Sequence, residues 1–210
     1  MLKVNLKPEI IEKLDKIQIS RVSRSVEVNN PTSYQMLGKG HQGAVFQIDE
    51  SRCVKIYCSK IDLMRELHAL QLGGKIGICP IVYFWGENYI VMEYLTDPSL
   101  LEYLQQNPLN KELAAKIVNL LDLFEKAGFN RFDHSGRHIY VLPNGTMKII
   151  DVVHIIKPQP VYLPKKLITD MGVNAEEFVQ FVKEISPKWY KRWVNDPDFS
   201  ALMTKVKGTI

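Results

Sequence analysis

Apolar residues recur along this chain in two rhythms, helical and alternating, and each stretch that keeps one of them marks an element. Residues 8–16, PEIIEKLDK, open on proline with acids close behind, the start signals of a short helix. From Ile17 to Thr32 the pattern blurs, which predicts a weak strand or a linker. AVFQI and RCVKIY then read as two strands joined by a turn at Asp49-Glu50-Ser51. In KIDLMRELHALQLGG, Ile61, Met64, Leu67 and Leu70 recur near helical spacing, which predicts a helix ended by Gly73-Gly74. IVYFW and YIVMEYL form a further hairpin around Gly86-Glu87-Asn88.

The second half is more helical. Residues 98–106 predict a short helix that Asn107-Pro108 breaks, and residues 111–127 a strong amphipathic one. On the latter, Leu113, Ile117, Leu120, Leu121 and Phe124 share a face, with Gly128 at the C-cap. HIYVL and TMKII are strands joined by Pro143-Asn144-Gly145. HIIKPQPVYLPKKL is an extended, proline-punctuated connector. A helix follows over AEEFVQFVKEI with Phe178, Val179 and Val182 inward, then one or two short helices over residues 187–207. There Trp189 and Trp193, at i and i+4, are expected to pack inward, while Lys188, Lys191 and Arg192 read as a solvated basic face.

Composition narrows the function classes. A chain of 210 residues can bury a real core in one domain or two small lobes, and 46 % apolar with 24 % charged residues is the ordinary globular balance. An excess of +4 is too small to indicate a specific nucleic-acid partner without a focused basic patch. Cys53, Cys58 and Cys79 are odd in number and lack zinc-ligand spacing, so buried thiols in a reducing cytosol are expected. No stretch approaches the ~20 apolar residues of a membrane span. The first residues carry no leader core, so a cytoplasmic protein is expected.

Candidate chemistry gathers at three places. The stretch Leu37-Gly38-Lys39-Gly40-His41-Gln42-Gly43 contains G-x-G-x-x-G, but a strand follows where a dinucleotide fold would open a helix. No Gly-Lys-Ser/Thr closes it as a P-loop either. Glycines at a hairpin tip let backbone N–H groups approach phosphate oxygens. Lys55 sits mid-strand, where a solvated lysine is the bland reading, and Glu66 lies eleven residues on in the next helix. A lysine held by such a glutamate is an ordered cation for phosphates. Asp133 precedes the last hairpin and Asp151 follows it, so the ribbon returns the two acids to one end. One can deprotonate a hydroxyl while the other holds a divalent cation; two solvated loop acids are the alternative.

Taken in order, GKGHQGAVF, VKIY, a helix glutamate, VMEYL, an Asp loop and IID after a hairpin resemble the protein-kinase-like superfamily. The likeness covers about residues 34–155, and the chain looks similar to small bacterial serine/threonine protein kinases. It implies an α+β, bilobal fold in one kinase-like domain over residues 1–210. Its parts would be an N-terminal extension (1–33), an antiparallel β N-lobe (34–95) and a reduced, mainly helical C-lobe (96–210), with ATP between the lobes. By resemblance, Gly38, Gly40 and Gly43 would cover the phosphates, with Leu37, Lys39, His41 and Gln42 of the same loop also binding ATP, and Lys55, paired with Glu66, would position the phosphates. Met92 would guard the back of the purine pocket, and the backbone of Glu93 and Leu95 would bond the adenine edge. Val45 would form its roof and Tyr140 part of its floor, with core packing as the other reading of Met92 and Tyr140. Asp133 would be the base, and Asp151, helped by His138, would hold Mg²⁺.

The chain also departs from the family. Phe132 replaces the Arg that anchors a phosphorylated activation segment. Ser135 stands for the common Lys two residues after the Asp, which looks like the Rio family of atypical kinases. His138 replaces the second cation-binding Asn, and imidazole is a poorer Mg²⁺ ligand than an amide oxygen. Some bacterial lipopolysaccharide sugar kinases look similar there. Val152-Val153 follows Asp151 in place of Phe-Gly, and the long activation segment is missing. The spacing of Lys55 and Glu66 is shorter than in most members, which implies a clipped connection into the helix. The expected activity is transfer of the γ-phosphate of Mg-ATP to a hydroxyl acceptor, protein or small molecule. A pseudokinase acting as an ATP-binding regulatory module and a small-molecule kinase or ATPase are the alternatives.

Overall fold

Among residues 6–207, which the computed structural model describes, the chain is mixed α+β, with antiparallel sheets and eight α-helices. Residues 1–5, where the stretch read for a leader begins, and residues 208–210 lie outside the description. Two compact units are present. One is built from the chain up to Gly74 together with Pro80–Leu95, the other from Lys75–Cys79 together with the chain from Thr96.

In the first unit, α1 (Pro8–Lys16) leads into β1 (Gln18–Val22) and β2 (Ser25–Asn29), an antiparallel hairpin where a blurred pattern had predicted a weak strand or linker. Its two-residue turn puts Ser23 at φ 56°, and no Asn or Gly announces it. A sheet follows from β3 (Met36–Lys39), β4 (Gly43–Gln47), β5 (Arg52–Tyr57), β6 (Val82–Trp85) and β7 (Tyr89–Glu93), in the order β3-β4-β5-β7-β6. Leu14, Ile17 and Val26 bury themselves with Ala44, Phe46, Val54, Ile56 and Val91, so the N-terminal segment belongs to the core of this unit.

Helix α2 (Lys60–Gly74) corrects the apolar stripe predicted for it. Leu63, Glu66, Leu67 and Leu70 face inward, whereas Ile61 and Met64 are 63 % and 53 % exposed. The inward stripe runs i, i+3, i+4, i+7 but has a carboxylate in second place, which an apolar count passes over. Drawing Glu66 inward rotates Ile61 and Met64 toward water. Arg21 of β1 reaches Asp62 in the first turn of α2 at 3.4 Å, tying hairpin to helix.

In the second unit, α3 (Leu100–Gln106) starts after Ser99, whose hydroxyl and the Glu102 carboxylate form a capping box. The predicted helix start at Pro98 therefore moves past the cap. Helix α4 (Lys111–Lys126) buries Leu113, Ile117, Leu120, Leu121 and Phe124. The ribbon of β8 (Ile139–Val141) and β9 (Met147–Ile149) turns at Gly145, where φ is 77°. The connector is not wholly extended, because α5 (Lys165–Asp170) forms within it. Helices α6 (Ala175–Ile185), α7 (Pro187–Val194) and α8 (Phe199–Lys207) complete the unit, and α6 packs on α4.

Trp189 and Trp193 are fully buried. The basic face of α7 is not simply solvated: Lys188 reaches Asp122 and Glu125 of α4, Arg192 reaches Glu125, and only Lys191 of the three stays outside these pairs while exposed. Trp189 Nε1 donates to Asp122 Oδ1 at 2.9 Å. These pairs neutralise part of the basic face of α7. No helix among the described residues is long and apolar enough to cross a membrane.

Candidate functional site

Strand register assembles the candidate residues of the first unit. Val45 stands opposite Lys55 across β4 and β5, and Met92 stands opposite Cys53 across β5 and β7. Cross-strand partners share a face and neighbours alternate, so Val45, Cys53, Lys55, Tyr57 and Met92 lie on one face. Ala44, Phe46, Val54, Ile56 and Val91 take the other, which α1 and the β1–β2 hairpin cover. Lys55 is therefore no solvated strand lysine. Its Nζ meets Glu66 Oε2 at 2.6 Å, with only 9 % of Lys55 and 2 % of Glu66 exposed, and it lies 5.3 Å from the centre of the Tyr57 ring. The short spacing in sequence does not prevent the pair. A buried ion pair adds little net stability over an apolar packing, but it holds the ammonium in one place.

The glycine hairpin lies between β3 and β4 and is closed by Gly40 N–H on Gly43 O at 2.9 Å. A Cβ on Gly43 would sit 1.9 Å from the Ile56 carbonyl oxygen, so packing of β4 on β5 demands glycine there. Gly38 and Gly40 have nothing within 4 Å of such a Cβ and no left-handed φ. Neither packing nor backbone conformation requires them, and their bare backbone is open to a ligand. Leu37, Lys39 and His41 are exposed beside them, and the Gln42 carbonyl accepts from Cys58 N–H at 3.0 Å.

At the end of β7, Glu93 N–H donates to the Ile81 carbonyl at 2.8 Å, while Glu93 Oε2 accepts from Ile81 N–H at 2.9 Å. Its N–H is thus engaged, and what this residue can offer an adenine edge is its carbonyl. The Cys53 thiol approaches that carbonyl at 3.6 Å, protonated because burial pushes it up to about 12. Leu95 and Met92 are buried.

The second unit brings the two acids and His138 to one end of the β8–β9 ribbon. Ile150 N–H donates to the His138 carbonyl at 3.0 Å, which sets Asp151 near the residue just before β8. Asp151 has φ 57°, a left-handed conformation that costs energy and is found among residues placed for function. Asp133 accepts Lys166 N–H at 2.7 Å on Oδ1, and the Lys166 ammonium lies 3.9 Å from Oδ2. His134 Nε2 is enclosed without a hydrogen-bond partner. Burial lowers its pKa to about 4, helped by the charges of His138 and Lys166 and opposed by Asp151 and Asp133. All four groups act electrostatically on one imidazole. Tyr140 is half-buried in β8 and bridges to Ser99.

Residues that no pattern singled out hold this loop in place. Asn130 clamps the Lys157 backbone, donating to its carbonyl at 2.6 Å and accepting its N–H at 2.9 Å. Asp170 accepts from Ser135 Oγ at 2.6 Å and from Gly136 N–H at 2.9 Å. Phe132 is buried among Phe124, Tyr162 and Trp189, which accounts for an aromatic residue before Asp133. Loop polar residues have no periodicity, and partners some thirty positions away leave no local mark.

Asp151 offers the hard carboxylate oxygen that Mg²⁺ prefers, and this ion is ordinarily held by one or two carboxylates plus substrate phosphates. Among the described residues, no group of three or more His, Cys, Asp or Glu side chains suited to a metal occurs. His138 fits less well, since its Nε2 accepts from Arg137 Nε at 3.1 Å. Compared with known proteins, the chain matches no family model and no curated protein.

Proposed function

We propose that this chain is an ATP-dependent phosphotransferase of the protein-kinase-like fold, bilobal in arrangement, which moves the γ-phosphate of Mg-ATP to a hydroxyl acceptor. The observation that carries the reading is the buried Lys55–Glu66 pair at 2.6 Å, on the sheet face shared with Val45 and Met92 and joined to an open glycine hairpin. Lys55 would hold phosphate oxygens, and the hairpin at Gly38 and Gly40, with no side chain to hold a ligand off, would lie close over them. The Glu93 carbonyl and Leu95 N–H would meet the adenine edge. Mg²⁺ held by Asp151 would supply neutralisation of phosphate charge. Asp133 would orient the acceptor hydroxyl and take its proton, a task that its anchored Oδ1 and half-buried Oδ2 suit.

The test measures Mg-ATP binding and γ-phosphate transfer together. Asp133→Asn can still accept Lys166 N–H but cannot act as base, so binding should persist while turnover falls about 10²- to 10⁴-fold. Lys55→Met should lose both. Wild-type turnover in Asp133→Asn would end this reading. A nucleotide-binding module without turnover is favoured by one observation, the engagement of His138 Nε2 by Arg137. Stabilisation by Mg-ATP with no transfer, in wild type, would select it.

A further inference from the structure

Phosphoryl transfer spreads negative charge over the equatorial oxygens of the moving group, and a site gains most from a cation positioned there in advance. Two residues after Asp133 stands Ser135, whose hydroxyl is given to Asp170 at 2.6 Å. Arg137 turns its guanidinium to His138, and Lys165 is paired with Asp198. Lys166 is placed differently. Its backbone N–H is fixed on Asp133 Oδ1 at 2.7 Å, and its ammonium lies 3.9 Å from Oδ2, yet its side chain is 64 % exposed. The helix that carries it is held at both ends, because Asp170 grips the same loop through Ser135 and Gly136. An ammonium beside the base, on a tethered backbone and open to solvent, is placed for a third participant.

Resting on the phosphotransferase reading, we infer that Lys166 is a catalytic residue, whose ammonium contacts the phosphoryl group as it passes Asp133. In that step the acceptor O–H gives its proton to Asp133 and its oxygen lone pair forms the bond to the γ-phosphorus. The bond from that phosphorus to the β,γ-bridging oxygen breaks, and its electron pair leaves on ADP. Lys166 makes and breaks no covalent bond. With three N–H donors it can keep Oδ2 and reach a phosphoryl oxygen as well.

Lys166→Met removes the ammonium but keeps the backbone N–H on Asp133, and at an exposed position it should leave the melting temperature unchanged. The experiment titrates Mg-ADP, and Mg-ADP with aluminium fluoride as a stand-in for the moving phosphoryl group, into the full chain. Lys166→Met should bind Mg-ADP as wild type does and lose about 10²-fold in affinity for the fluoride complex, with most of the loss restored in Lys166→Arg. A cation that merely steadied Asp133 would not separate these two ligands. Equal affinity of wild type and Lys166→Met for the fluoride complex overturns the inference and leaves the phosphotransferase reading standing. A wild-type chain that binds the fluoride complex no more tightly than Mg-ADP overturns both.

Discussion

The Lys55–Glu66 pair and the Asp133 loop are built in opposite ways. The first hangs on regular elements: strand alternation chooses the face of Lys55, and helix period brings Glu66 to it. The second is irregular backbone, held by side chains from distant positions: Asn130 on Lys157, Asp170 on Ser135 and Gly136, Lys166 on Asp133. Regular elements give rigid placement with few special residues. A pinned loop depends on each pin, and each can be removed separately.

Breaking the regular half should have the largest effect. Glu66→Ala leaves a buried ammonium without this carboxylate and should cost about 3–5 kcal/mol in denaturant titration, whereas Lys55→Met with Glu66→Leu should cost far less. The loop half should respond to acid first. His134 is held near a pKa of about 4 in the fold against 6.5 when unfolded, so the unfolded chain binds more protons between those values. Its contribution is fully present above about 6.5 and should be lost as the pH falls towards 4, by roughly 3 kcal/mol. His134→Leu should flatten that part of the stability profile.

Removing one pin is a smaller change. Asp170→Ala leaves Ser135 Oγ and Gly136 N–H without that acceptor and should cost about 1–3 kcal/mol, with faster amide exchange over residues 133–138. The smallest effect sharpens the rotation of α2. Ile61→Ser and Met64→Ser, on the exposed side, should stay within about 0.5 kcal/mol of wild type, while Leu67→Ala should cost about 2–5 kcal/mol.

The same contrast explains what could be read from the chain alone. Helix α4 and the inward Trp189 and Trp193 follow from periodicity, because burial imposes a period, and strands β4, β5 and β7 from β-branched and aromatic runs between turn residues. The pairing of Lys55 with Glu66 was expected from the family resemblance, although its short spacing set it apart from most members. The stripe on α2 misled because a buried carboxylate occupies a core place, and the β1–β2 hairpin hid behind a turn without Gly or Asn. Asn130, Lys166 and Asp170 could not be found that way. Their roles arise from chain reversals that bring α5 and the connector onto the Asp133 loop.

The measurement closest to the central claim follows the γ-phosphate itself. With the chain in excess over Mg-ATP labelled at the γ position, a single turnover is quenched at increasing times for wild type, Asp133→Asn and Asp151→Ala. Label should leave ATP for a Ser or Thr hydroxyl of the chain or for water with wild type and stay on it with both variants, although Asp133→Asn still binds the nucleotide. Equal loss of label from all three, or none from wild type when all of the Mg-ATP is bound, would contradict the account.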